Sequence, residues 1–304
     1  MATPLIDQSD RLAWLRERMN HIGASDVPKI LGLTPMWGSA TSVYLEKTQE
    51  PEFIDASSPS PAAELGLELE RWLLGKIAGD YEAPSHNLDG WLYQSDQIPH
   101  MSCTRDGVLL WGMDKKKSVE LKTTAFNDWQ GEVPAHVFAQ VQTQAYVLEE
   151  PEIILGVCFR VSGERVFKTI PRDDSFIEDV LLPTCDRFWE AVKKRDPDSL
   201  QIDGSDETLK ALVAIHKQEL GKEIVLDASF CDLADELVAI REEAAVLEAR
   251  KKEIRNEIAA AGGDATLLVL PDMRYFNYKE VHRKEHLVKA SSFRSPMGPF
   301  GGQK

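Results

Sequence analysis

The chain has only four cysteines, Cys103, Cys158, Cys185 and Cys231, and no two of them are spaced as a Cys-x-x-Cys pair. Zinc sites, disulfide frameworks and cysteine-held iron–sulfur clusters need tighter grouping, so none is indicated and four reduced thiols, mostly buried, are expected. Long apolar runs are missing too. None approaches the ~18 residues of a membrane span, and the opening Met1-Ala-Thr-Pro-Leu-Ile-Asp-Gln8 has neither a basic start nor an apolar signal core. A cytoplasmic protein without a membrane partner is the expectation.

Positive charge is scarce. There are 50 acidic against 35 Lys and Arg side chains, a formal net charge of -15, whereas affinity for duplex DNA comes largely from basic contacts to phosphate. The charge is unevenly placed: residues 274–304 carry seven basic and two acidic side chains, making that strip +5 and residues 1–273 -20. Such a strip can bind DNA when several subunits gather their strips in a ring or cleft. It can equally be a solubilising tail. At 304 residues, 43% hydrophobic and 28% charged, the chain has the make-up of a globular protein of one large or two ordinary domains.

What the sequence does contain is concentrated between Asp106 and Thr123. Val108-Leu-Leu-Trp111 after Asp106-Gly107 reads as a short strand, 112–117 as a polar turn, and a second strand starts at Ser118. In it Val119, Leu121 and Thr123 alternate with Glu120 and Lys122, so the acid and the amine share the face opposite the apolar one. Mg²⁺ takes oxygen ligands and usually only one or two carboxylates. Asp106 and Glu120 supply two, the Leu121 carbonyl is a third oxygen if the strand end is irregular, and Lys122 is a point charge for the attacking water or the scissile phosphate. The plain alternative is a solvated strand face and a turn aspartate.

Around this pair the chain reads as an α/β domain. An amphipathic helix is expected over 8–20; Ser25 or Asp26 then caps a helix with Pro28 in its first turn, where free amides can hold a phosphate. A short helix follows at 41–47, a Pro/Ser-rich connection at 51–62, and a helix from Ala63 whose Glu70 borders the apolar stripe as a candidate third carboxylate. A strand is expected over 88–94. The helix from Pro134 puts Gln140 and Gln144 on one face and turns Gln142 away. Strands at 153–161 and 165–170 and a helix over 174–194 complete the domain at residue 195. An acidic linker at 196–206 leads to an extension, 196–304, containing a long helix or helical hairpin at 228–261, a β-hairpin at 266–278 and the basic strip. The long helix reads as a packing or assembly element.

Taken in order, Ile22-Gly-Ala-Ser-Asp26, Ile30-Leu-Gly-Leu33, Glu46-Lys-Thr48, Gly66-Leu-Glu-Leu-Glu70, Asp106-Gly107, Glu120-Leu-Lys-Thr123, Trp129 and Pro134 to Gln140-x-Gln142-x-Gln144 resemble YqaJ-type viral recombinases, which belong with the lambda exonuclease group of PD-(D/E)XK nucleases. The resemblance covers roughly residues 10–195. It implies a restriction-endonuclease-like core, a mixed central sheet flanked by helices, followed here by the helical and β-hairpin extension. It implies Asp106, Glu120 and the Leu121 carbonyl as metal ligands, Lys122 as catalytic lysine, Glu70 and Gln140 completing the active site, and Arg18 and Ser25 meeting the 5′-phosphate of the DNA end. The activity implied is Mg²⁺-dependent 5′-to-3′ digestion of linear double-stranded DNA, with Mn²⁺ as substitute, by a homotrimer in the host cytoplasm. The 3′ overhangs would pass to a single-strand annealing protein in phage-type recombination. One departure is that Arg105, not Pro, precedes Asp106. Two other readings compete: a structure- or sequence-selective endonuclease of the same superfamily, and a catalytically silent DNA-binding or assembly protein.

Overall fold

The computed structural model describes residues 2–34, 36–50, 61–112, 115–125, 129, 131–216 and 218–279. They form two compact units, Met1–Lys217 and Gln218–Lys304.

The first unit opens with β1 (Thr3–Ile6), α1 (Arg11–Met19), β2 (Ile22–Gly23), α2 (Val27–Ile30), α3 (Ala40–Thr48) and α4 (Pro61–Asp80). Asp10 starts α1 by accepting from the Ala13 N–H, and Ser39 and Ser42 close a reciprocal capping box on α3. Next come β3 (Ser85–Leu88), β4 (Leu92–Gln94), β5 (Met101–Thr104), β6 (Gly107–Leu110), β7 (Lys116–Thr124), α5 (Ala135–Leu148), β8 (Glu152–Phe159) and β9 (Arg165–Pro171). The expected strand over 88–94 is in fact two strands of different sheets. Asp89 breaks it, its carboxylate accepting from the Trp91 N–H, the Tyr93 hydroxyl and Arg105 Nε. The expected helix over 174–194 is α6 (Asp174–Phe176), a π-helical turn (Ile177–Leu181) and α7 (Leu182–Lys194); Pro183, which has no amide to donate, follows the widened turn.

Five strands make the central sheet in the order β3-β6-β7-β8-β9; β7 and β8 are parallel, joined through α5, and the other pairs are antiparallel. This is the expected mixed central sheet flanked by helices. One face packs Val119, Leu121 and Ile154 on Leu73, Leu74 and Ile77 of α4. The other packs Ile153, Leu155 and Val157 on Val137, Val141 and Ala145 of α5. A Cβ at Gly156 would stand 2.2 Å from Ile77 Cδ1, so only glycine lets α4 lie this close to β8. Both faces of β7 are therefore covered. A second sheet, β1-β4-β5-β2, lies against α2, α3 and α7 through Ile22, Val43, Met101 and Phe188.

Residues 196–217 lie in the first unit, past the boundary expected at 195. Leu200 is buried in its core, and Asp203 accepts from the Ser205 and Thr208 hydroxyls, both at 2.6 Å, to start α8 (Asp206–Ile215), whose Ala211 is buried. Ser205 is the N-cap, accepting from the Thr208 N–H at 3.1 Å, and Asp203 braces it, so the stretch is folded into the first unit and is not an open linker. In the second unit α9 (Ser229–Gly262) is one continuous helix of 34 residues, not a hairpin, ending at Gly263 with φ 51°. β10 (Leu267–Val269) and β11 (Tyr275–Asn277) form the expected antiparallel hairpin. Of the basic strip only Arg274 and Lys279 fall within the described residues, and most of the 51–62 connection falls outside them. The cysteines are all free thiols, three of them buried and Cys231 exposed. Among the described residues no helix is long and apolar enough to cross a membrane.

Candidate active site

Where β6 begins, its ladder with β7 ends: the Asp106 N–H reaches the Val119 carbonyl at 3.2 Å, and beyond it the Asp106 carboxylate replaces the missing strand. Asp106 Oδ2 accepts from the Leu121 N–H at 2.7 Å. A strand residue's N–H and C=O point to the same edge, so the Leu121 carbonyl faces the side of Asp106 and is left out of the β7–β8 ladder. β7 itself runs on regularly to Thr124, so the carbonyl is freed by the end of the β6 pairing and not by an irregular end of its own strand.

Glu120 points to the α5 face and is only 2% exposed. Its burial is tolerated because each oxygen is held: Gln140 Nε2 donates to Oε1 at 2.6 Å, Gln144 Nε2 donates to Oε2, and Lys122 Nζ stands 2.7 Å from Oε1. Gln140 also accepts from Lys122 Nζ through Oε1 at 2.9 Å, closing a ring of three side chains. Gln142, two positions from each and so on the opposite side of the helix, serves the Asp173 N–H and the Pro171 carbonyl instead. Gln144 is a site residue missing from the sequence-based set, although helical spacing places it beside Gln140.

Charge in this cleft is unbalanced. Burial pushes the Asp106 carboxyl well above its usual range, Glu120 and Glu70 push it further, and Lys122 and the Leu121 amide only partly offset this. Glu70, half-buried on α4, is raised to about 6 by burial and by Glu120, again with Lys122 opposing. The Lys122 amine is held above its usual range by Glu120 and Asp106 despite burial. Three carboxylates thus share one ammonium. Among the described residues no three His, Cys, Asp or Glu side chains form a ready-made metal cage. One or two carboxylates plus a carbonyl is nonetheless the donor set Mg²⁺ accepts, and the surplus negative charge is what a divalent cation would relieve.

All eight predicted site residues, Arg18, Ser25, Glu70, Asp106, Glu120, Leu121, Lys122 and Gln140, line one open cleft of about 250 Å³. In the same cleft Arg18 lies over the Trp14 ring, 4.8 Å from the centroid, and Arg18 Nη2 donates to the Ser25 hydroxyl at 3.2 Å. The expected capping role of Asp26 is not what the structure shows. Its side chain makes no cap bond to α2; it accepts from the Gly23 N–H at 3.0 Å and pairs with Lys47 at 2.7 Å, both side chains almost wholly buried. Lys47 also donates to the Arg18 carbonyl at 2.9 Å, so the pair anchors the Arg18–Ser25 region. On the far side of Lys122 a second cleft, about 440 Å³, is lined by Trp37, Trp129 and His136.

Residues 13–150 match the family model of the YqaJ-like viral recombinase domain. This segment resembles a YqaJ-like viral recombinase domain. It contains every residue of the cleft named above and ends just past α5, so β8 and β9 complete the domain's sheet from outside the matched segment. The uncharacterized protein YqaJ of Bacillus subtilis (strain 168) is 29% identical over 266 residues, covering 85% of this chain and 80% of its own. Among solved structures, an alkaline exonuclease from Laribacter hongkongensis is similar at 16% identity and a TM-score of 0.46, over 60% of this chain and 93% of that one. The same enzyme in complex with dAMP gives 16% and 0.47 over the same shares.

Proposed function

We propose that the chain is a metal-dependent deoxyribonuclease that digests linear double-stranded DNA from a 5′ end and leaves a 3′ overhang. The observation that carries this is the cleft itself, in which the Glu70–Asp106–Glu120–Lys122–Gln140 group and the Arg18–Ser25 pair line one common space. Hydrolytic residues and a guanidinium beside an exposed hydroxyl in one cleft suit a chain terminus carrying a phosphate. The recombinase family of residues 13–150 agrees with a DNA substrate.

Asp106, Glu120 and the Leu121 carbonyl would hold Mg²⁺, or Mn²⁺ in its place, which when bound supplies a neutralising charge and an acidified water. Lys122, kept protonated by Glu120, offsets charge growing on the phosphate, and Gln140 fixes the direction of both. Gln144 holds the second Glu120 oxygen so that the carboxylate cannot rotate. Glu70 supplies a further carboxylate for orienting the attacking water. The Trp37–Trp129 cleft beside Lys122 offers stacking surface for an unpaired base. A homotrimer, and hand-over of the overhang to an annealing protein, follow from the family resemblance.

The test is to incubate 5′-labelled linear duplex and a closed circle with Mg²⁺ and the full chain. Release of label from the linear duplex alone is expected. Cutting of the circle at a similar rate would favour an endonuclease, and no cleavage of either, with DNA bound, would favour a silent binding protein.

A further inference from the structure

In α9, apolar side chains recur at alternating steps of three and four residues from Phe230 to Ile258, a seam of period 3.5 about 43 Å long. Its apolar side chains are left largely exposed among the described residues of the second unit. Leu233, Leu237 and Ile240 are 56%, 39% and 53% exposed, and Leu247 and Ile254 are 70% and 41% exposed. A helix of this length with so much apolar surface in water requires a facing helix. We propose that the facing helix is α9 of a second copy of this chain, running antiparallel.

The order of residues along the seam chooses this partner and direction. An antiparallel pair centred between Ala245 and Val246 sets the small Ala244 against the large Leu247 of the second copy, and Leu247 against its Ala244. The next layers then join Leu237 to Ile254 and Leu233 to Ile258, apolar on apolar. Lys251 is the one charged residue in the seam. It faces Ile240, along which its stem can lie while its ammonium stays on Glu248 of its own helix, 2.8 Å away, at the edge of the seam, and a single polar seam position of this kind specifies register.

The flanking charges agree. In the antiparallel register Arg241 meets Glu248 of the second copy and Glu243 meets Arg250, each contact occurring twice by symmetry, and only Glu236 against Glu257 opposes. In a parallel pair the offset is different: Glu243 would face Glu248 and Arg250 would face Arg255, leaving Glu236 with Arg241 as the attractive contact. Arg250 now bonds Glu253 at 2.9 Å and Glu257 at 3.2 Å on its own exposed helix face, from which it can turn towards Glu243 of the second copy.

Sedimentation equilibrium of the full chain over a range of concentrations tests this with charge swaps. Glu243 has Ala239, Ile240, Val246 and Leu247 as its neighbours one turn away, so Glu243→Arg disturbs no ion pair within the helix. Glu243→Arg is expected to weaken self-association about tenfold, Glu243→Arg with Arg250→Glu to restore it to within about threefold, and Leu247→Glu to abolish the α9 contribution. Circular dichroism checks that α9 stays helical in each. Tighter association of Glu243→Arg would overturn the antiparallel pair in favour of a parallel one. A mass distribution unchanged by Leu247→Glu would overturn self-association through α9 altogether.

Discussion

The Asp26 carboxylate and the Lys47 ammonium meet at 2.7 Å in the interior, with side chains 1% and 3% exposed, beneath the Arg18–Ser25 part of the cleft. Removing one member of such a pair strands the other charge away from water. Lys47→Met is therefore expected to cost about 3–5 kcal/mol in urea unfolding. A loss below about 1 kcal/mol would show that the pair does not anchor this region.

The same pair sets an acid limit. Burial would raise the Asp26 carboxyl, but Lys47, Arg18 and Lys29 outweigh it and hold the group well below its ordinary range. A carboxyl depressed on folding contributes stability above its unfolded value, about 4, and that contribution disappears as pH falls through the lower folded value. Unfolding free energies measured between pH 3 and 7 should fall steeply at the acid end, and Asp26→Asn should flatten that slope. Parallel curves for the two proteins would contradict this.

Gln144 is a positioning residue whose work is on Glu120. Gln144→Leu keeps the volume and removes the donor to Glu120 and, at 3.0 Å, to the Thr104 carbonyl, while the Gln144 Oε1 it also removes has no hydrogen-bond partner in the interior. DNA cleavage is expected to drop about 10- to 100-fold with DNA affinity unchanged and stability altered by no more than about 2 kcal/mol. Equal loss of binding and cleavage would point to a general collapse of the cleft instead.

Crowded carboxylates predict a metal-dependent gain in stability. At pH 7.5, Mg²⁺ at about 100 times its dissociation constant should stabilise the chain by about 2.7 kcal/mol, seen as a raised melting temperature. Asp106→Asn should melt higher than the parent without metal, because one charge leaves the crowd, and should respond little to Mg²⁺. A full Mg²⁺ response in Asp106→Asn would remove Asp106 from the ligand set.

Arg18 is expected to act on the DNA end. Arg18→Ala should reduce the preference for 5′-phosphorylated over 5′-hydroxyl duplex about tenfold, mainly through KM, with digestion of 5′-hydroxyl ends little changed. Steady-state rates on the two substrates decide it; an undiminished phosphate preference would place the terminal phosphate elsewhere.

Local periodicity made much of the site legible. The two-residue alternation around Glu120 and the four-residue interval between Gln140 and Gln144 each fix a side chain's direction within one element. What alternation could not show is that the face carrying Glu120 is covered: Glu-x-Lys looks the same on a wet strand and under α5. Asp26 was read as a cap because its nearest neighbours suggest one, while its actual partner, Lys47, comes from another helix. The strand over 88–94 failed for a similar reason, since Arg105, sixteen residues away, draws Asp89 out of line. The 196–206 stretch resembles a linker because an acid that braces a capping serine, as Asp203 does Ser205, looks in composition like an acid that faces solvent.

The two amides on Glu120 sit one helical turn apart, so α5 works as a ruler laid across β7. Its graduations matter more than its ends. Shortening or lengthening the loop before Pro134 leaves both marks aligned, whereas inserting a single residue between Gln140 and Gln144 swings one amide about 100° around the helix axis and off the carboxylate. Natural length variation in homologues should therefore collect at the loop and be absent from that one turn.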